Sequence, residues 1–85
     1  MEELKPIYNK SLSSFCGQAL INKGNGITEL ISFGKKVGEI KGNKVRLFKT
    51  NVQSRAQIVH IIEWLKQNHF EIGTKKWMLE KYGGD

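Results

Sequence analysis

The sequence predicts an α+β fold. A three- to four-stranded antiparallel β-meander is followed by one long and one short C-terminal helix, packed on one sheet face. Three observations predict it. Turn-forming residues recur at Gly24-Asn25-Gly26, Gly34 and Lys41-Gly42-Asn43-Lys44, with strand-like runs between them. Ile58, Ile61, Ile62 and Leu65 then fall at i, i+3, i+4 and i+7, one apolar helical stripe. The chain has 85 residues and is 39% hydrophobic, enough for one core and too short for two.

Residues 1–12 are weakly patterned, and Pro6 discourages a long early helix. They read as an N-terminal arm to a single domain over residues 13–85. Residues 13–22 suit a strand carrying Phe15, Cys16, Ala19, Leu20 and Ile21. Cys16 is expected there as a small buried hydrophobe. Asn25-Gly26 tolerates the positive φ that a tight hairpin demands. Ile27, Glu29, Ile31 and Phe33 alternate with Thr28, Leu30 and Ser32, the period of a strand. Residues 37–40 read as a short strand in which Gly38 marks a bulge or the close approach of a helix. Residues 45–49 form the last strand, with Val45 and Leu47 on one face and Arg46 and Phe48 on the other.

Ser54-Arg55-Ala56-Gln57 fits a capping box, which starts the long helix. Its apolar stripe is expected against the sheet. Gly73 breaks the chain, and Thr74 caps a short helix whose Trp77, Met78, Leu79 and Tyr82 lock it to the body.

The charge is unevenly placed. Fourteen Lys+Arg stand against eight Asp+Glu, a formal +6. Residues 1–22 and 56–85 are each neutral. Residues 23–55 hold Lys23, Lys35, Lys36, Lys41, Lys44, Arg46, Lys49 and Arg55 against Glu29 and Glu39. The excess therefore lies on the predicted sheet, its turns and the start of the helix. Such a surface attracts phosphates and releases counterions. Lys35, Lys36, Lys41, Lys44, Arg46, Lys49 and Arg55 are the candidate nucleic-acid contacts. Turn and edge lysines also keep sheets from pairing edge to edge, which is the plainer reading of the same residues.

Other chemistry finds little support. One cysteine cannot close an intrachain disulfide, and one cysteine with two histidines is far from zinc-ligand spacing. No phosphate-binding glycine loop leads into a helix. No carboxylate pair, Ser-His pairing or nucleophile motif accompanies His60, so no enzyme, metal or cofactor is expected. The longest uncharged stretch, residues 11–22, is too short to span a bilayer, and no signal peptide is visible. A cytoplasmic protein without membrane contact is expected. His60, Trp64 and Gln67 fall on the helix side opposite the stripe, a candidate protein-binding face with Trp64 as its anchor. Apolar residues on both strand faces need two covers, so a homodimer is a further expected partner.

Three segments carry a resemblance. They are Ser32-Phe33-Gly34-Lys35-Lys36-Val37-Gly38-Glu39-Ile40, then His60-Ile61-Ile62-Glu63-Trp64-Leu65-Lys66-Gln67-Asn68-His69-Phe70, then Lys75-Lys76-Trp77. Together they resemble small uncharacterised proteins of Gram-positive phages and mobile elements. Those carry a sheet motif Ser-Tyr-x-Thr-x-Val-Ala-x-Ile, a helix motif His-Ile-x-Glu-Phe-Leu-x-Gln-x-Gly-Phe, and a Lys-Lys-rich end. This chain departs at Gly38, where Ala is usual, at Trp64, where Phe is usual, and at His69, where Gly is usual. Position 69 is thereby expected at positive φ. The resemblance implies a phage or mobile-element origin but transfers no activity. The functional expectation is a non-enzymatic basic module that docks on nucleic acid or a host nucleoprotein. The alternative is an inhibitor or accessory factor of a host protein, for example in anti-defence.

Overall fold

In the computed structural model, which describes residues 1–83, the meander has five strands in sequence order. They are β1 (Glu2–Glu3), β2 (Ala19–Gly24), β3 (Ile27–Ser32), β4 (Lys35–Lys41) and β5 (Lys44–Leu47). A 3-10 turn, Lys49–Asn51, leads to α1 (Arg55–Gln67) and α2 (Lys75–Tyr82). The α+β class and the order of sheet before helices are as the sequence predicts. The count exceeds the expected three or four because residues 1–12 supply β1, and two residues are too few to show a period.

The start of β2 is also later than expected. Cys16 and Gly17 take φ 55° and 74°, and Gln18 N–H donates to the Phe15 carbonyl at 3.0 Å. This tight turn precedes the strand. Cys16 is therefore exposed in a turn, and its expected place as a buried strand residue is corrected. Phe15 turns into the core instead, 5% exposed.

The other turns follow their glycines. Asn25-Gly26 and Phe33-Gly34 both have positive φ at each central residue, as two-residue hairpins of the primed type require. Between Leu30 and Ile31 the β3–β4 register shifts: Leu30 faces Gly38 and Ile31 faces Lys36. Val37 is thus the extra residue of a bulge. Val37 and Gly38 are both buried.

One sheet face carries Ala19, Leu30, Ser32, Val37, Gly38, Ile40 and Leu47, all buried. Ile61, Trp64 and Leu65 of α1 and Met78 of α2 join them in the core. Gly38 lets the helix in, because a Cβ there would stand 2.8 Å from Trp64 Cζ3. The arm is part of this core. Leu4 is 1% exposed, and its N–H donates to the Ala19 carbonyl at 2.9 Å.

The capping box forms as read: Gln57 N–H donates to Ser54 Oγ at 3.2 Å, and Ser54 N–H to Gln57 Oε1 at 2.9 Å. α1 closes in a Schellman motif, with Phe70 N–H on the Leu65 carbonyl and His69 N–H on the Lys66 carbonyl. His69 takes φ 64° in it, the conformation expected at that position. Among the described residues no helix is long and apolar enough to cross a membrane.

Candidate nucleic-acid interface

The face of the sheet away from α1 is set by the pleat. Leu30, Gly38, Ile40 and Leu47 point to the helix, so their strand neighbours point away. Lys36, Lys41, Lys44 and Arg46 are thus on the open face. Lys35 stands at the β3–β4 turn, Lys49 lies in the 3-10 turn with its stem against Gly83, and Arg55 is the exposed first residue of α1. The fold gathers four of the candidate cations and leaves these three apart.

At the β4–β5 hairpin, Lys41 and Lys44 are direct cross-strand partners. Arg46 follows on the same face. Lys81, from the last turn of α2, lines the same cleft, with Tyr82 and Glu39. Sequence counting missed Lys81 because the C-terminal segment is neutral as a whole. Only the packing of α2 beside β5 brings it here. Among the described residues, ion pairs are made by Lys23 with Glu2 (2.9 Å), Lys36 with Glu29 (2.8 Å) and, at 3.9 Å, Lys81 with Glu71. Lys41, Lys44 and Arg46 make none.

The middle of the open face is acidic. A row runs Asn22, Glu29, Glu39, Arg46 across β2 to β5, and Glu29 stands directly opposite Glu39. The Lys36 ammonium, hydrogen-bonded to Glu29, holds that carboxyl below its ordinary value, helped by the Asn22 amide. Lys36 is raised in return by the same bond. Phe48 lies beside this row, with Lys36 Nζ 4.9 Å and Arg46 Cζ 5.1 Å from its ring centroid.

The residues proposed for protein binding are elsewhere. Trp64 is fully buried and His60 is 4% exposed, so neither presents a contact surface, and the expected outward direction of this helix side is corrected. The buried face of α1 is Gln57, His60, Ile61, Trp64 and Leu65, while Ile58 and Ile62 of the apolar stripe are half-buried flanks. Polar side chains can lie inward when their hydrogen bonds are met. Gln57 is spent on the cap and on the Asn51 carbonyl at 2.8 Å. His60 Nδ1 is 2.7 Å from Ser32 Oγ, and its ring lies between Phe15 and Phe33. Burial pushes the imidazole below its ordinary value. This Ser-His pairing was not legible in the sequence, where 28 residues separate the two. With Ser32 at 0% exposure it is closed to solvent.

Gln67 belongs to a third cluster. Glu63, 2% exposed, accepts the backbone N–H groups of Ile7, Tyr8 and Asn9 and the Gln67 amide. Gln67 also donates to the Lys5 carbonyl at 2.7 Å. Burial alone would raise the Glu63 carboxyl. These donors outweigh it and hold the group below its ordinary value. The solvent-reached side of α1 carries Val59, Ile62 and Lys66, beside Tyr8 of the arm.

No protein-family model matches the chain, and neither a curated protein nor a solved structure does. Among the described residues no group of three or more His, Cys, Asp or Glu gathers in a way that could hold a metal ion.

Proposed function

We propose that the chain is a non-enzymatic binding module, phage or mobile-element encoded and cytoplasmic, that docks on nucleic acid or a nucleoprotein through the β4–β5 end of its sheet. One observation carries this reading. Lys41 and Lys44 face each other directly across the hairpin, and Arg46 and Lys81 line the same cleft. Like charges opposed across strands destabilise a sheet. Edge protection accounts for exposed lysines but not for this convergence, in which Lys41, Lys44 and Arg46 have no ion-pair partner among the described residues. A run of phosphates would turn that repulsion into attraction and release counterions.

The test is binding of the full chain to labelled DNA and RNA at low and at physiological salt. The expected result is affinity that falls steeply between about 50 and 200 mM salt. Absence of binding at low salt to duplex and single-stranded forms alike overturns it. A host-protein inhibitor acting through α1 would use the Tyr8, Val59 and Ile62 surface, since His60 and Trp64 are in the core.

A further inference from the structure

We infer that the basic cleft grips the phosphate backbone of a duplex from outside, with no base unstacked and no single strand laid across the sheet. The inference rests on the nucleic-acid reading above and narrows its ligand. A single strand held on an open sheet needs aromatic rings free to stack with bases. The rings near the cations are already engaged: Phe48 carries Lys36 and Arg46, and Tyr82 in the cleft lies under Lys81, meets Trp77 edge-on and donates its hydroxyl to the Glu71 carbonyl. Phe33 is 46% exposed, but it is stacked on His60 at the far end of β4 from Lys41, outside the cleft.

The charge layout points the same way. A strand crossing the sheet would bring its phosphates over both Glu29 and Glu39, which stand side by side, whereas the cleft is bordered by Glu39 alone. The cations instead border one end and edge: Lys41, Lys44 and Arg46 on the hairpin, and Lys81 beyond β5. Lys44 and Arg46 are two residues apart on one strand, so they project to the same side roughly 7 Å apart. A stiff duplex can rest on such an edge while its bases stay paired. Arg46 is the single arginine in the cleft, and arginine is the usual base-reading side chain. The grip is therefore on backbone and indifferent to sequence.

The test uses the full chain and fluorescence anisotropy with four probes: a DNA duplex, an RNA duplex of equal length, one of the DNA strands alone, and polyglutamate. Either duplex is expected to bind more tightly than the single strand at the same salt. Four phosphate contacts give a slope of log K against log salt of roughly −3.6 on the DNA duplex. Lys44→Gln is expected to make that slope shallower by about 0.9 with unchanged circular dichroism. A scrambled duplex of the same composition is expected to bind equally. Single-strand binding as tight as duplex binding overturns the inference and leaves the nucleic-acid reading standing. No binding to any nucleic acid at low salt overturns both. Equal binding to polyglutamate overturns the nucleic-acid reading in favour of an acidic protein surface.

Discussion

The Glu63 carboxylate accepts the backbone N–H of Asn9 at 2.9 Å, across 54 residues of sequence. Ile7 and Tyr8 N–H donate to the same carboxylate, so three successive amides of the arm converge on one buried charge. This latch positions the segment that follows β1 and Leu4. Charged acceptors make the stronger backbone hydrogen bonds.

Glu63→Ala is therefore expected to destabilise the fold by roughly 2–4 kcal/mol, since it strands several donors at once. Glu63→Gln keeps the shape and one acceptor oxygen, and should lose about half as much. Urea midpoints measure the stability. Limited proteolysis at residues 7–11 reads the arm directly, and faster cleavage there is expected in both variants. A normal midpoint with normal cleavage would show that Leu4, the β1 pairing and the Gln67 bond to Lys5 hold the arm without the Glu63 carboxylate.

Two buried groups make the fold sensitive to acid, in separate windows, and the half-buried Glu29 shares the lower one. His60 is held below its ordinary 6.5, so its contribution is complete above that pH. As pH falls through it, the unfolded chain takes up a proton that the folded chain refuses, and stability drops by at most about 1.4 kcal/mol per pH unit. Glu63 is held below its ordinary 4.5, so its share persists to lower pH and is lost as pH falls from there through its folded value. Unfolding free energy against pH should show both declines. The paired change His60→Phe with Ser32→Ala should remove the upper one and leave the lower. Persistence of the upper decline in that variant would assign it to another group.

Stability and binding should move in opposite directions at the hairpin. Lys41→Gln relieves the direct opposition to Lys44, so a gain of about 0.2–1 kcal/mol is expected. The same change should weaken nucleic-acid binding and flatten its salt dependence. A thermal melt and a salt titration on one sample decide this. Loss of stability without loss of binding would mean that the lysine stems pack the hairpin and that the charge serves nothing else.

What could be read in the sequence was local. Both caps form, Thr74 accepting Trp77 N–H at 3.2 Å as Ser54 accepts Gln57 N–H. The Asn25-Gly26 hairpin and the close approach at Gly38 also follow from residue type. What could not be read depends on distant partners. Glu63 looks like a surface charge on a helix until the arm's amides arrive. His60 looks solvent-facing until Ser32 and two phenylalanine rings enclose it. Cys16 at φ 55° contradicts its usual backbone preference, so the turn it makes with Gly17 left no composition signal. Of the basic site, the hairpin lysines were visible in the charge count, whereas Lys81 needed the docking of α2.

The last expectation joins Gly38 of β4 and Trp64 of α1. In this fold the two positions share one space. A Cβ on Gly38 would come 2.8 Å from Trp64 Cζ3 and 2.9 Å from Leu47 Cδ2, closer than real Cβ atoms come. The smaller residue on the strand thus makes room for the larger ring on the helix. Gly38→Ala alone should overpack the core and cost about 1–3 kcal/mol. Trp64→Phe alone should leave a void and cost about 1–2 kcal/mol. That loss is softened because Trp64 Nε1 is buried without a hydrogen-bond partner among the described residues. The double variant restores the complementary pair, so its loss should fall below the sum of the single losses by more than about 1 kcal/mol. A double-mutant cycle from urea unfolding measures that coupling. Simple additivity would mean that the sheet shifts to accept the methyl group and that the two positions are independent.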